Sequence, residues 1–199
     1  MQIRQATTPQ ELFAIRRFWY DVYFLEMGRL ESQADQRKKQ LADPLDQSGP
    51  LHYAVRDGQV VGTVLTIYAR DADLGAYEDF YGMNSDQWNH PAETSMTTKL
   101  MVVPSLRKSG LAVKLALATY EYALLQGIQQ NFIDCNAHLH SFFLRLGYVE
   151  HRGWVHHKDF GEVCSMVLNV SDRKHLKRVK SPFVRILDAH STTPIAQYA

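Results

Sequence analysis

The chain lacks the features that mark secreted, disulfide-rich or membrane-spanning proteins. It has only two cysteines among 199 residues, which is typical of a reducing compartment rather than of a disulfide scaffold. Both lie in apolar segments, Cys135 in NFIDCN and Cys164 in EVCSMVL, so we expect buried, inert thiols. No stretch approaches the roughly 20 apolar residues of a membrane span, and MQIRQATTPQEL has no apolar signal core. We therefore expect a soluble, cytoplasmic protein with no membrane span.

Metal-binding motifs and a strong net charge are also missing. The nine histidines form no H-x-x-x-H pair, and C-x-x-C does not occur. His156 and His157 are adjacent on a predicted strand and point to opposite faces, so we predict no metal site. The formal net charge of +1 provides no global field for nucleic acid, and we predict no nucleic-acid partner. With 45% hydrophobic and 22% charged residues, the chain can bury a substantial core as one domain.

What the sequence does contain is a clear series of strand and helix signals. TPQE predicts a capping box between Thr8 and Glu11, with a proline at the first helical position. In the helix that follows, apolar residues recur at spacings of three and four from Leu12 to Val22. Glu26 lies one turn further along the same stripe, which places a carboxylate at the end of an apolar helix face.

The remaining segments predict a mixed α/β fold. After a long polar connection, 24–49, LHYAVRDGQVVGTVLTIYAR is a hairpin that turns at Asp57 and Gly58. A short helix in DLGAYEDFYGM, the strand TSMTTKLMVV and an amphipathic helix follow. NFIDCN is a strand, HLHSFFLRLG a helix, YVEHRGWVHH and EVCSMVLNV two strands, and SDRKHLKRVK a basic helix. We predict one domain, 1–180, with a mixed sheet, and a C-terminal tail, 181–199.

The junction between TSMTTKLMVV and the next helix is polar and charged. Arg107, Lys108, Ser109 and Gly110 stand just before the first helical turn, where unpaired N–H groups and the helix dipole favour a phosphate. The glycine lets a ligand approach the backbone, and the two cations add full charges. A surface turn with two solvated cations is the alternative, because a motif as short as R-x-x-G-x-A recurs by chance.

In context, the strand, the proline, R-x-x-G-x-A and the amphipathic helix resemble the pantetheine-phosphate segment of the GNAT superfamily of N-acyltransferases. NAHLHSFFLRLGY resembles that superfamily's later N-x-x-A-x-x-x-Y-x-x-x-G-F segment, with Asn136, Phe143, Gly147 and Tyr148 in register. The resemblance implies an α/β fold with a mixed, mainly antiparallel central sheet flanked by helices. It also implies which residues bind the acyl thioester and its pantetheine arm. These are Leu100, Met101, Val102, Val103, Arg107, Lys108, Ser109, Gly110, Leu111, Ala112 and Asn136.

Further segments narrow the resemblance. FWYDVYFLEMGR, DPLD, TTKLMVVPSLRKSGLA and FIDCNAHLHSFFLRLGY together look like the bacterial long-chain N-acyl amino acid synthases, relatives of the acyl-homoserine lactone synthases. The likeness runs from about Arg17 to about Asp172. It implies that a free amino acid attacks a fatty acyl thioester carried by acyl carrier protein. No cofactor is then bound permanently, and the phosphopantetheine arm of the carrier protein, or CoA, is the donor.

Two glutamates are the candidate catalytic groups, and the backbone of KLMVV is the candidate oxyanion site. In the fold that the resemblance implies, this strand bulges away from its neighbour, and free N–H groups near Leu100 to Val102 hold the thioester oxygen. Glu26 accepts a proton or holds an ammonium group; an i,i+3 pair with Arg29 is the alternative. Glu93 lies near the position of the catalytic base in the lactone synthases. Their glutamate stands three residues before an arginine, and the same count back from Lys99 gives Met96 rather than Glu93. A solvated residue at the start of the strand is the alternative for Glu93.

Arg17 and Arg70 are candidates for the substrate carboxylate, because a guanidinium binds both oxygens of a carboxylate; an exposed arginine without that role is the alternative for each. Tyr20 belongs to an aromatic set that lines a slot or simply fills the core. Phe143 stands where the superfamily often has a tyrosine acid. Since a thiol has a pKa near ~8.5, its thiolate leaves tolerably unaided.

Four functions stay open at this point. A long-chain N-acyl amino acid synthase comes first, and its tyrosine-rich surroundings favour an aromatic acceptor. A lactone synthase, an ordinary acetyl-CoA acetyltransferase and a non-catalytic sensor of acyl thioesters are the alternatives. The basic segment with Lys177 and Arg178 is either a solvated face or a docking patch for the acidic carrier protein.

Overall fold

A computed structural model describes residues 1–28, 34–157 and 161–192, without the side chains of the last two. The described strands form one seven-stranded sheet and a separate two-stranded ribbon. The strands are β1 (Ile3–Gln5), β2 (Ala34–Asp35), β3 (Gln40–Leu41), β4 (Leu51–Arg56), β5 (Gln59–Tyr68), β6 (Thr94–Val102), β7 (Gln130–Cys135), β8 (Val149–His157) and β9 (Gly161–Asn169).

The helices connect and cover the large sheet. They are α1 (Pro9–Tyr20), α2 (Ala76–Tyr81), α3 (Leu111–Leu125), α4 (Ala137–Leu146), α5 (Arg173–Arg178) and α6 (Val184–Thr192). A π-helical segment (Asp21–Glu26) continues α1, and two 3-10 turns (Ala69–Asp71 and Pro104–Leu106) stand beside β5 and β6. None of the helices in the described ranges is both long and apolar enough to cross a bilayer.

The sheet order is β1-β4-β5-β6-β7-β9-β8. Every neighbouring pair in it is antiparallel except β6 and β7, which run parallel and are joined through α3. A parallel pair needs such a crossover, usually a helix, because its strands start at the same edge. The predicted mixed, mainly antiparallel sheet flanked by helices is therefore confirmed.

Local signals in the sequence produce the expected local structures. Thr8 caps α1, and its backbone N–H donates to Glu11 Oε2 over 2.9 Å while the Glu11 N–H donates to Thr8 Oγ1 over 3.3 Å, so the predicted capping box is present. Asp57 (φ 51°) and Gly58 (φ 76°) make the tight turn between β4 and β5, as the Asp-Gly pair predicts.

The end of the first helix departs from the sequence pattern. Beyond Tyr20 the backbone becomes π-helical, and the Met27 N–H donates to the Val22 carbonyl five residues back, over 3.0 Å. A π turn holds more residues than an α turn, which rotates Glu26 off the apolar stripe that the α-helical period predicts. Its side chain is 32% exposed. Arg29, the alternative partner of Glu26, lies outside the described residues.

Two cores sandwich the sheet. Side chains of α1 and α2 pack with one face, around Trp19, Tyr81 and Phe132, and side chains of α3, α4 and α6 pack with the other. Phe183 and Leu187 of the predicted tail join this second core, where the Phe183 ring stacks on Tyr120 with centroids 4.2 Å apart. Both cysteines are buried and unbridged, as predicted, and burial raises the pKa of the Cys135 thiol to about 12.

Candidate active site

The centre of the molecule is a cleft where two neighbouring strands separate. Two residues lie between Thr98 and Met101 in β6, but only one lies between their partners Leu65 and Thr63 in β5, so β6 carries a bulge. On its other side, β6 pairs with β7 only as far as Met96 and Phe132. Among the described residues, no strand pairs with the remainder of β6 on that side. The predicted bulge and separation of KLMVV are therefore present.

The cleft is open to solvent and has a volume of about 130 Å³. Residues 97–101 of β6 form one wall, and residues 133–136 of β7 form the other. Tyr23 and Met27 line it from the π-helical side, and Phe143 lines it from α4. An elongated, largely apolar space between two strands suits an extended ligand with an acyl chain.

Beyond the C-terminal end of β6, the start of α3 offers unpaired donors. The Lys114 N–H donates to the Gly110 carbonyl over 3.1 Å, and no acceptor in the described part of the chain bonds the N–H groups of residues 111–113. Gly110 has a φ of 80°, and a Cβ built there would meet nothing within 4 Å. This geometry fits the predicted anion-binding turn, because the backbone is accessible and its donors are free.

Arg107 links this turn to the π-helical segment. Its Nε donates to the Val102 carbonyl over 3.1 Å, and its Nη2 donates to Glu26 Oε1. Ser109 turns inward, because its hydroxyl donates to the Leu106 carbonyl over 2.7 Å. Of the predicted phosphate ligands, Lys108 and the backbone are therefore exposed, whereas the Arg107 guanidinium and the serine hydroxyl are already bonded.

A charged residue occupies the bulge itself. Lys99 adopts φ 53°, which is costly for a residue with a side chain unless the surroundings fix it. Its ammonium lies 2.5 Å from Asp43 Oδ2 and 5.1 Å from the Trp19 ring centroid, and the side chain is 8% exposed. Thr63 Oγ1 donates to the Lys99 carbonyl over 3.0 Å. These contacts fix the bulge.

The arginine predicted on α1 is not the one that forms an ion pair. Arg17 is exposed, whereas its neighbour Arg16 makes two hydrogen bonds, of 2.7 and 3.1 Å, to the buried carboxylate of Asp46. Asp43 and Asp46 are the two acids of the DPLD segment. This segment thus supplies one counter-ion to the bulge and one to α1.

Two further predicted residues lie at the opposite end of the sheet. Arg70 follows β5 and donates to the carbonyl and side-chain oxygens of Gln126 over 2.9 and 2.7 Å. Glu93 precedes β6, and its carbonyl accepts from Gln129 over 2.9 Å. Lys99 is six residues further along the chain than Glu93. At ~3.3 Å per residue of strand, about 20 Å therefore separate Glu93 from Lys99. The structure does not bring Arg70 or Glu93 to the cleft.

The aromatic candidates divide between core and cleft. Tyr20 is buried and stacks on Phe24 with centroids 4.9 Å apart. Phe143 lines the cleft and also, with Leu100 and Thr97, a small interior void of about 20 Å³. That volume holds about one water. Phe143 therefore stands between the open cleft and the core beneath α3.

Sequence reasoning missed a carboxylate in the cleft wall. Asp134 lies on β7 between the buried Ile133 and Cys135. Its Oδ1 accepts a hydrogen bond of 2.6 Å from the hydroxyl of Tyr81. Burial, and then the charge of Asp134, raise the pKa of Tyr81 well above its usual value, so the hydroxyl stays a donor. An acid inside an apolar strand was the signal available in NFIDCN.

The cationic C-terminal segment lies far from the anion-binding turn. α5 follows β9, and the Val170 N–H donates to the Gln129 carbonyl over 2.9 Å, just beyond the C-terminal end of α3. The turn stands at the N-terminal end of the same 15-residue helix, about 22 Å away at ~1.5 Å per residue. Exposed cations beside the turn are Arg107, Lys108 and Lys114.

One group of possible metal ligands occurs in the described ranges: His140, Glu150 and Cys164, with ligand atoms within 4.8 Å of one another. His140 Nε2 lies 2.8 Å from Glu150 Oε1. Burial raises the pKa of the Cys164 thiol, which favours the protonated form that does not bind metals. The absence of a metal site stays a prediction.

Comparison with known proteins identifies the class. A profile described as the acetyltransferase (GNAT) family matches residues 14–148, and the chain therefore belongs to that family. A search of curated proteins finds no match. The predicted superfamily, drawn from the turn before α3 and the segment with Phe143, is confirmed.

Solved structures that resemble the chain include several synthases. TofI, in a ternary complex with an inhibitor and MTA, has a TM-score of 0.70 at 14% identity, over 94% of this chain and 100% of TofI. MesI, a CoA-dependent acyl-homoserine lactone synthase, has a TM-score of 0.68 at 19% identity, over 99% and 100%. FeeM, an N-acyl amino acid synthase from uncultured soil microbes, has a TM-score of 0.67 at 17% identity, over 86% and 97%. At such identities the likeness is one of fold.

Proposed function

We propose that the chain is an N-acyltransferase that moves a long fatty acyl group from a phosphopantetheine thioester to the α-amino group of a free amino acid. The donor is acyl carrier protein, and the product is an N-acyl amino acid. The observation that carries the proposal is the separation of β6 from β7 directly beside the free N–H groups at the start of α3. This pairing of an open slot and an anion site suits a thioester on a phosphorylated arm.

The apolar wall supports a fatty donor. Leu100 and Phe143 line the cleft on the side of α3 and α4, and Leu139 lies at its rim, 37% exposed. A chain laid between the strands removes these surfaces and its own methylenes from water, at roughly 0.8 kcal/mol for each buried CH₂. Such a slot favours long acyl groups over acetyl.

The bulge in β6 supports the chemistry. Unpaired backbone N–H groups near Leu100 to Val102 donate to the thioester oxygen as it becomes an oxyanion, and donors fixed by the fold cost no reorganisation. The side chain of Lys99 is held away by Asp43. The amine attacks the carbonyl carbon, a C–N bond forms, and the C–S bond breaks to release the thiol arm.

Reconstituted acyl transfer tests the proposal. Purified protein is incubated with palmitoyl carrier protein, palmitoyl-CoA or acetyl-CoA and each amino acid in turn, and mass spectrometry follows the products. We expect N-palmitoyl amino acids, with carrier protein as the better donor and an aromatic acceptor preferred. Transfer from acetyl-CoA alone, or donor binding without turnover, contradicts the proposal.

A lactone synthase is the second candidate, because MesI, a CoA-dependent acyl-homoserine lactone synthase, shares the fold over its whole length. Where the resemblance places the lactone-synthase glutamate, this chain has Met96, which is 1% exposed in the core. A buried methionine takes no proton, which favours the amino acid synthase. Adding S-adenosylmethionine to the same assay separates the two, since only a lactone synthase then releases an acyl lactone.

A further inference from the structure

Of Glu26, Glu93 and Asp134, only Asp134 lies in the wall of the cleft. Glu26 is bonded to Arg107 beside the anion-binding turn, and Glu93 stands at the start of β6, at the other end of the sheet. Asp134 lines the same cleft as residues 97–101 of the bulged strand. The acceptor amine must approach a carbonyl held at that bulge. The charged group that binds the amine therefore has to belong to this wall of the cleft.

The separation of the strands exposes Asp134 to the cleft. β7 pairs with β6 as far as Phe132, and Asp134 is the next residue on the same face of the strand. That face is covered by α1 and α2, opposite the apolar wall of Phe143. The acceptor and the acyl chain would therefore occupy different sides of the sheet, which leaves the carbonyl between them.

The carboxylate is oriented but not saturated. Tyr81, which is 0% exposed, donates to Oδ1, and no donor in the described ranges bonds Oδ2. A carboxylate next to buried Ile133 and Cys135 is costly without a charged or hydrogen-bonding partner. A bound ammonium group would provide that partner.

We propose that Asp134 binds the α-amino group of the acceptor amino acid and is the catalytic base of the transfer, and that Tyr81 is its positioning residue. This inference rests on the proposed function and names the residue that selects an amine at that site. It also assigns Glu26 a different role, as the partner of Arg107.

The proton balance closes within the site. A fraction of the amine is neutral near pH 7, since an α-amino group has a pKa near ~8. Its lone pair forms the C–N bond, the nitrogen becomes cationic, and Asp134 Oδ2 takes one of its protons. The tetrahedral intermediate then collapses, the C–S bond breaks, and the departing thiolate takes the proton back from Asp134. Amine and thioester thus give amide and thiol with no net proton.

Asp134→Asn tests the inference, because the amide keeps an oxygen for Tyr81 and removes only the charge. We expect kcat/KM for the amino acid to fall at least ~100-fold, the range of a lost general base. Binding of a long-chain S-alkyl-CoA, which has no carbonyl to transfer, should stay within about twofold, a loss too small to reflect a damaged donor site. The exposed Asp86→Asn is the matched control.

Hydroxylamine as the acceptor distinguishes loss of the catalytic base from structural damage to the site. It is neutral and weakly basic at pH 7, so neither a bound ammonium nor a strong base is required. We expect Asp134→Asn to lose less than about tenfold with hydroxylamine, while Tyr81→Phe loses about tenfold with the amino acid and little with hydroxylamine. If Asp134→Asn does not fold, Asp134→Glu, which restores a carboxylate, should keep more activity than Asp134→Gln.

The outcomes distinguish failure of the inference about Asp134 from failure of the proposed function. Asp134→Asn within about threefold of wild type on amino acids overturns the inference and leaves the proposed function standing. Equal losses with hydroxylamine and amino acid overturn it as well, because they indicate structural damage. Wild-type protein that binds S-alkyl-CoA but acylates no amino acid overturns the proposed function itself.

Discussion

Arg107 and Glu26, 81 positions apart in the chain, form an ion pair beside the start of α3. Arg107 is the first residue of the anion-binding turn, and Glu26 ends the π-helical segment that lines the cleft. A donor phosphate at this turn and the Glu26 carboxylate would compete for one guanidinium. We therefore predict that donor binding at this turn releases Glu26 from Arg107.

Glu26→Gln should strengthen donor binding. Removing the competing charge frees Arg107, and because exposed ion pairs contribute up to ~1 kcal/mol, affinity for S-alkyl-CoA should rise about two- to fivefold. Calorimetry at low salt measures the change, with Asp86→Asn as control. Acyl transfer should stay within about threefold of wild type. Weaker donor binding would contradict the competition between Glu26 and the donor for Arg107. Loss of turnover would support the catalytic role of Glu26.

Lys99→Met should destabilise the fold and disorder the bulge. The substitution leaves Asp43, whose side chain is 20% exposed, without its cation, and breaking a largely buried pair costs about 2–3 kcal/mol. The double variant Lys99→Met/Asp43→Asn should recover part of that loss, because no charge is stranded. Urea unfolding of the four proteins completes the cycle. Additive losses would show that the pair does not hold the bulge.

The capping box should make stability depend on acid pH. Hydrogen bonds from Tyr53, Thr7 and Thr8 lower the pKa of Glu11 from 4.5 to about 2. A carboxyl whose pKa is depressed by folding stabilises the protein above its unfolded pKa, and that stability is lost as pH falls from about 4.5 towards 2. Glu11→Gln should remove this part of the pH dependence.

Urea midpoints measured between pH 7 and pH 2 test the role of Glu11. The exposed Glu121→Gln, which removes one charge from the surface of α3, is the control. Parallel curves for wild type and Glu11→Gln would contradict the assignment.

Phe143→Tyr should not accelerate transfer. The superfamily's tyrosine would donate a proton to the thiolate, but a thiolate with a pKa near ~8.5 leaves without one. The new hydroxyl enters a site that is 6% exposed and costs ~1–3 kcal/mol if it stays unbonded. We expect a lower Tm and a rate within about threefold. A tenfold gain in kcat would show that the enzyme lacks an acid.

Carrier protein should dock at the cations beside the anion-binding turn. Lys108→Glu/Lys114→Glu should raise KM for palmitoyl carrier protein about tenfold and KM for palmitoyl-CoA several-fold less, because Lys108 serves the phosphate of either donor whereas long-range charge attracts only the acidic carrier. The matched control is Lys177→Glu/Arg178→Glu, at the other end of α3. A larger effect of the control pair would restore the C-terminal segment as the docking patch.

Local chemistry made much of the fold predictable. The capping residues of α1 and the turn residues of the first hairpin act within four positions, so their sequence signal is complete. The anion-binding turn was predictable for the same reason, since Gly110 and the free N–H groups belong to one helix start.

The rest of the site depends on contacts between distant segments. The π-helical turn after Tyr20 gives no sequence signal and shifts Glu26 to Arg107. The choice of Arg16 over Arg17, and the contact between Tyr81 and Asp134, depend on how α1 and α2 sit on the sheet. The structure places Arg70 and Glu93 away from the cleft. The sequence could not predict this, because the residue types in a strand do not indicate which end of the strand lies at the site.

A crystal structure with long-chain S-alkyl-CoA bound tests the central claim most directly. We predict phosphate oxygens within hydrogen-bond distance of the N–H groups that follow Gly110, the pantetheine arm along the free edge of β6, and the alkyl chain against Phe143. A donor bound elsewhere on the protein, with the cleft between β6 and β7 closed or empty, would contradict the claim.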